Sequence, residues 1–286
     1  MKKRFKTITL SSTKQNQEIL SIANQCYEVL KNKGLEILVD KNLSKLSFIG
    51  LKPSSKKTIL KDSDLLIAIG GDGTMLNCAR EYGSKNVCLL GINLGNLGFL
   101  NDIDPEDLTS FLTQIIEGRY VEDNRFFLEA SLSTTKKTFL ALNEVVIHSG
   151  EIAQLIEYDL FIDNVFVYRQ KSDGLIVASP TGSTGYSLSA GGPIVHPKVS
   201  SIVLSPMLPL SLSSSSLVVK AESKICIKLA SLREAQISFD SHSSIRLRKN
   251  QEINITKSKS IIKFIHPYEN DFFEACRSKL GWSSRH

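Results

Sequence analysis

Between Asp64 and Leu76 the chain reads DLLIAIGGDGTML. An apolar run from Leu65 to Ile69 stops abruptly at Gly70-Gly71-Asp72-Gly73, and Thr74 opens a helix-like stretch. The pattern predicts a buried strand that hands its carboxyl end, through a glycine turn, to a helix N-terminus. Glycines let the main chain approach a phosphate closely, and a helix start adds partial positive charge there. An aspartate would repel that phosphate, so Asp72 is better suited to accept a proton or help hold a cation. Together these features suggest phosphoryl transfer to a hydroxyl. A plain strand-to-helix turn is the duller alternative, because Gly and Asp are common turn residues. Neither GxGxxG nor GxxxxGK[ST] occurs here, which argues against a P-loop protein.

The same strand–turn–helix pattern recurs along the first third of the chain. Phe5 to Leu10, Leu35 to Val39, Leu65 to Ile69 and Val87 to Ile92 read as strands. Gln15 to Lys33 carries Ile19, Ile22, Ala23, Cys26 and Leu30 at helical spacing, with Gly34 as a stop. Met75 to Tyr82 and Pro105 to Tyr120 read as further helices. Such alternation predicts an α/β domain with a parallel sheet, and ligands of such sheets sit at the carboxyl ends of the strands. After Asn124 the segments become short and rich in β-formers. They run from Phe126 to Leu132, Thr138 to Ile147, Leu155 to Ile162, Val165 to Tyr168 and Leu175 to Ala178. Ser201 to Leu204, Leu217 to Val219, Lys224 to Leu229, Gln236 to Phe239, Glu252 to Ile255 and Ile261 to Ile265 continue the series. Turn residues such as Asp163-Asn164 punctuate them. The expected division is an α/β domain over 1–123, a β-rich domain over 124–270 and a C-terminal arm over 271–286, with a short helix from Phe272 to Leu280.

At 286 residues and 42% apolar content the chain can bury a substantial core. No apolar run approaches the roughly 20 residues that a bilayer crossing needs. The start, MKKRFKTITLSSTKQNQ, turns polar too soon for a secretory signal. Five cysteines without a CxxC pair suggest neither a zinc site nor a disulfide framework, so a reducing cytosol is the simplest setting. Net charge is +6, but the only dense basic runs are Lys2-Lys3-Arg4 and Arg246-Leu247-Arg248-Lys249, and neither interleaves aromatics. A solvated surface is favoured over a nucleic-acid patch, and neither nucleic acid nor membrane is expected as a partner.

Three further segments carry chemistry. Asn93-Leu94-Gly95-Asn96-Leu97-Gly98-Phe99-Leu100 places a second glycine loop after a strand, with Phe99 able to cover a ligand. Asn143-Glu144 interrupts an apolar run, and a buried glutamate needs a partner because desolvating a lone charge is costly. Ribose hydroxyls or an adenine edge would serve, as would a lysine. Lys171-Ser172-Asp173-Gly174 is followed by LIVAS and then PTGSTGYSLSAGGPIVHP. Its hydroxyls and glycines offer many donors to sugar and phosphate oxygens at little steric cost.

Taken together, GGDGT, NLGNLGFL, LNEVVIH, KSDGLIVASPTGSTGYSLSAGGPI and the terminal SKLGW resemble the NAD kinases. Diacylglycerol and sphingosine kinases share only the GGDG. The resemblance implies a phosphofructokinase-like α/β domain, a β-sandwich-like C-terminal domain, and homodimers or homotetramers. It implies that ATP with magnesium or another divalent cation phosphorylates the adenosine-ribose 2′-hydroxyl of NAD, giving NADP. Asp72 would then be the general base, with Gly73 and Phe99 beside the ligand. Asn143 and Glu144 would bind the adenosine half. Lys171, Asp173 and the loop of Thr184, Gly185, Tyr186, Ser187, Leu188 and Ser189 would lie at the NAD site. His242 stands where relatives often carry glutamine. Leu210 and Ser215-Ser216 stand in place of a usual histidine and Arg-Pro, and Gly185 in place of alanine. A lipid kinase or a non-catalytic NAD(P)-binding sensor are the alternatives.

Overall fold

The computed structural model describes residues 5–44, 50–83, 87–94, 98–101, 103–133, 135, 137–151, 154–211 and 213–282. Gly95, Asn96 and Leu97 of the second glycine loop, and the basic start at Lys2-Lys3-Arg4, lie outside the described residues. The chain divides into two compact units, 1–124 with 262–286, and 125–261.

In the first unit β1 (Thr7–Ser11) leads to α1 (Gln17–Asn32), then β2 (Glu36–Val39), α2 (Lys56–Asp62) and β3 (Leu65–Ile69). Next come α3 (Asp72–Tyr82), β4 (Cys88–Ile92) and α4 (Leu108–Ile116). The strands pair in parallel in the order β2-β1-β3-β4. Every residue of β1, β3 and β4 is buried, as expected of strands covered on both faces. Asn16 caps α1 by accepting the N–H of Ile19 at 2.8 Å, and the predicted stripe of Ile19, Ile22, Ala23, Cys26 and Leu30 is buried. That stripe packs with Leu108, Leu112 and Ile115 of α4 against Leu10, Ile67 and Leu90 of the sheet. The helix α4 is shorter than the expected 105–120, because Gly118 (φ 89°) turns the chain out of it. The helix α2 was not expected, since only Ile59 of its KKTILKD is buried. Between β1 and β3 the strand order reverses direction, the place where open α/β sheets bind ligands. There Ser12 Oγ donates to Ile69 O at 2.8 Å, and the hydroxyls of Thr13 and Thr74 meet at 2.9 Å.

The second unit takes in β5 (Val121–Leu132) from Arg125 on, then β6 (Thr138–Ala141), β7 (Glu144–His148), β8 (Ile156–Ile162), β9 (Val165–Ser172) and β10 (Gly174–Ala178). A 3-10 turn (Thr181–Thr184) and the single turn α5 (Tyr186–Ser189) follow. Then come β11 (Ser201–Met207), β12 (Leu217–Lys220), β13 (Ile225–Leu229), β14 (Ala235–Phe239), β15 (Ser243–Leu247) and β16 (Glu252–His266). One antiparallel sheet runs β12-β11-β10-β7-β14-β15, and β13 pairs with β8 and β16 in another, with β9 beside β8. Leu175 and Val177 of the first sheet share a core with Leu160, Ile225 and Ile227 of the second, which makes a sandwich. Asp163 and Asn164 both take positive φ (51° and 66°), the hairpin turn between β8 and β9.

Two segments differ from expectation. The run from Thr138 to Ile147 is two strands, broken at Leu142-Asn143, because the backbone there bonds to a carboxylate described below. The two strands expected at 252–255 and 261–265 are one, β16, whose polar TKSKS stretch keeps the ladder going. The start of β16 belongs to the second unit and its end to the first, where α6 (Phe272–Leu280) also lies. The helix α6 has the bounds expected of it.

Candidate active site

In the first unit Asp72 is the opening residue of α3, with Gly71 as its N-cap and no side chain capping that end. Its carboxylate is held from several sides. Oδ2 accepts the N–H of Phe99 at 3.0 Å, and Oδ1 accepts that of Leu100 at 3.2 Å. Asn101 Nδ2 donates both to Asp72 Oδ1 (3.3 Å) and to Gly70 O (3.2 Å), tying the carboxylate to the glycine turn. A Cβ at Gly98 would strike the Asp72 carboxylate, so the second glycine loop approaches this closely only because residue 98 has no side chain. Gly73 is exposed, with nothing within 4 Å of where a Cβ would stand. Phe99 is half-buried against Phe272 of α6, with ring centroids 6.3 Å apart. Lys279, on the same helix, reaches Asp72 Oδ2 at 3.6 Å.

The second unit gathers a different set. Asp240, in the turn between β14 and β15, accepts the N–H groups of Leu142 (2.8 Å), Asn143 (2.8 Å) and Glu144 (3.1 Å). Three amides on one carboxylate fix the break between β6 and β7 and hold Asn143-Glu144 there. Asn143 O accepts the N–H of Ser179, and a Cβ at Gly182 would collide with the Asn143 backbone, so the Thr181–Thr184 turn lies directly on this pair. Gly185 comes next: its Cβ position is 3.6 Å from both Asn143 Nδ2 and Glu144 Oε2. His242 is exposed in the Asp240 turn. Among the described residues, neither Asn143 Oδ1 nor Glu144 Oε2 has a hydrogen-bond partner, although both atoms are buried. Burial, and secondarily the Asp240 carboxylate, push the Glu144 carboxyl up to about 8. Such orphaned polar atoms are costly unless a ligand meets them.

The remaining sequence candidates separate. Ser187 is buried with its hydroxyl 3.0 Å from that of Ser205, so it braces the loop from inside. Ser183 does likewise, donating to Pro180 O and accepting the Val195 N–H. Tyr186 and Ser189 are exposed, while Thr184 and Leu188 are half-buried. Lys171 and Asp173 stand apart. Glu144 pairs with Ala178, whereas Gly174, at the other end of β10, pairs with His148. At about 3.4 Å per residue, Asp173 is thus a strand's length, more than about 13 Å, from the Asn143-Glu144 pair. Lys171 is exposed there and reaches Glu157 at 3.8 Å. Sequence reasoning missed Asp240, Asn101 and Lys279. Asp240 stood in plain view in SFDSH, a polar turn between β-formers, but its three amides are almost 100 residues away.

A parallel α/β unit with a carboxylate gripped at its glycine turn, joined to a sandwich with unpartnered polar atoms beside a hydroxyl loop, defines a nucleotide-handling phosphotransferase. Residues 8–120 match the family model for the ATP-NAD kinase N-terminal domain, and residues 142–267 that for the ATP-NAD kinase C-terminal domain. The chain belongs to the NAD kinase family. It is 41% identical over 287 residues to the NAD kinase of Marinobacter nauticus, covering 98% of each chain. Its fold is similar to yeast NADH kinase complexed with NADH, with TM-score 0.91 and 27% identity over 99% of this chain and 90% of that one. It is also similar to an NAD kinase from Archaeoglobus fulgidus in complex with ATP, with TM-score 0.77 and 28% identity over 95% and 99% of the two chains.

Proposed function

We propose that this chain works as an NAD kinase in which Asp72 is the general base toward the adenosine-ribose 2′-hydroxyl of NAD, with ATP as the phosphoryl donor. The observation that carries the assignment of the base is the Asp72 carboxylate, fixed by two main-chain amides and Asn101 at the start of α3. Phosphoryl transfer passes through a loose transition state, so catalysis rests on positioning and charge stabilisation more than on a strong base. A carboxylate held on both oxygens suits that task. It orients the hydroxyl in line and takes its proton as the oxygen bonds phosphorus and the phosphoryl group leaves ADP. The uncapped first turn of α3 leaves main-chain N–H groups for phosphate oxygens.

Asn143 and Glu144 bind the adenosine half, where Asn143 Oδ1 and Glu144 Oε2 meet the ribose hydroxyls or the adenine edge. Thr184, Gly185, Tyr186 and Ser189 line the same place, while Ser187 and Leu188 shape the loop. His242 stands at its rim. Gly73 and Phe99 flank the base. No three His, Cys, Asp or Glu side chains among the described residues gather as a metal site. A magnesium ion would be held chiefly by the ATP phosphates, which it usually favours over an all-protein cage. Bound there, the ion would neutralise the charge on the transferring group.

Lys171 and Asp173 lie at the opposite end of β10 from Asn143 and Glu144. Within a homodimer or homotetramer they serve the site of a second copy, an arrangement that symmetric self-association provides. A cytosolic setting accords with five free thiols, four of them buried, and no described helix is long and apolar enough to cross a membrane. The test is an assay of the purified chain with NAD, ATP and magnesium, alongside diacylglycerol in place of NAD. NADP forms and the lipid is not phosphorylated. Tight NADP binding without NADP formation would overturn the assignment in favour of a sensor.

A further inference from the structure

Asp72 is bonded by neutral donors that fix its direction, but none of them cancels its charge. A bare carboxylate opposes the approach of a phosphoryl group. The cation beside it comes from the far end of the chain. Lys279 Nζ is 3.6 Å from Asp72 Oδ2 and 4.7 Å from the centroid of the Phe99 ring. That ring also packs on Phe272 of the same helix, and its residue donates its N–H to the same Oδ2. One helix therefore bears on the carboxylate by two routes, directly through a charge and indirectly through a ring packed on Phe99.

Cys276 is the fully buried residue of α6, and Phe273 is more than half exposed. Asp271 caps its start, and Gly281 (φ 68°) ends it in the left-handed conformation, so the turn bearing Lys279 is fixed locally. The paired side chains keep 25% and 32% of their exposure. Pairs this open contribute little to stability, so stability is a poor account of why the helix aims a lysine there. Lysine is a compact charge on a flexible stem, able to approach Oδ2 while both oxygens keep their neutral donors.

We propose that Lys279 is a positioning residue for phosphoryl transfer: it clamps the Asp72 carboxylate toward the hydroxyl and balances its charge as the phosphoryl group arrives. The proposal rests on Asp72 as the base. The test uses the full chain and four variants, K279M, K279R, D72N and the double variant, with kcat, NAD KM and NAD binding measured for each. K279M loses about 10- to 100-fold in kcat, the scale of a displaced reacting group, while NAD KM and binding stay near wild type. K279R recovers most of the loss. In the D72N background K279M changes kcat by less than about twofold, because a residue that acts through another is not additive with it. The proposal is overturned if K279M turns over like wild type, or if it costs the same factor with and without Asp72. Should K279M fail to fold, as judged by NAD binding and thermal unfolding, K279Q is read by the same criteria. Wild-type turnover in D72N alone would instead sink the assignment of Asp72.

Discussion

Glu144 shows how the fold sets the chemistry of a single residue. Its carboxyl would ordinarily titrate near 4.5; burial first, and Asp240 second, push it up to about 8. Between those two values the folded chain holds a proton that the unfolded chain has released. Stability therefore falls as pH rises through that window and levels off above it. Glu144→Gln keeps the shape and removes the titration. The variant is expected to unfold at a higher temperature than wild type above the window, with the gap closing toward its acid end. Thermal unfolding across the window checks this, and parallel pH profiles for the two proteins would refute it. The same variant loses NAD affinity if the orphaned Oε2 is a ligand contact.

At the scale of elements, the turn between β14 and β15 places the dinucleotide-facing pair. Asp240 takes a positive φ (46°) to aim both oxygens at the amides of residues 142–144. Hydrogen bonds to a charged group contribute about 1.5–3 kcal/mol each, so Asp240→Ala should destabilise the protein by about 2 kcal/mol or more. It should also weaken NAD binding more than Ser187→Ala does. Denaturant unfolding and calorimetric titration measure the two effects, and an unchanged midpoint would contradict the first. The elements that sequence made legible are those whose pattern is local. Leu65–Ile69 is a solid apolar block, α1 shows a clean stripe with a cap, and Asp163-Asn164 announces its hairpin. The elements it hid depend on distant partners. The strand β15 reads SSIRL, of which only Leu247 is buried, and it exists because β14 lies beside it. The polar middle of β16 looks like a loop until its ladder is seen. The GGDG turn and the Asn143-Glu144 pair were visible as composition anomalies. By contrast, the grip of Asp240, Asn101 and Lys279 on them comes from residues 29 to more than 200 positions away, which no local pattern encodes.

At the scale of the molecule, the chain has two compact units, each carrying one set of candidate residues. The register of β7 and β10 separates Asn143-Glu144 from Lys171 and Asp173 within a single copy. If those two serve a neighbouring copy, an Asn143→Ala chain and an Asp173→Asn chain, each impaired alone, restore part of the activity when co-assembled. Mixed oligomers then contain some sites free of either change. Mixtures no better than the average of the separate variants would place both sets in one copy's site. The catalytic claim itself is tested most directly by Asp72→Asn, which preserves shape and keeps one acceptor oxygen for either the Phe99 or the Leu100 amide but cannot take a proton. Turnover of NAD with saturating ATP and magnesium is predicted to fall about 10²- to 10⁴-fold, with NAD affinity unchanged. A variant that makes NADP at the wild-type rate would contradict it.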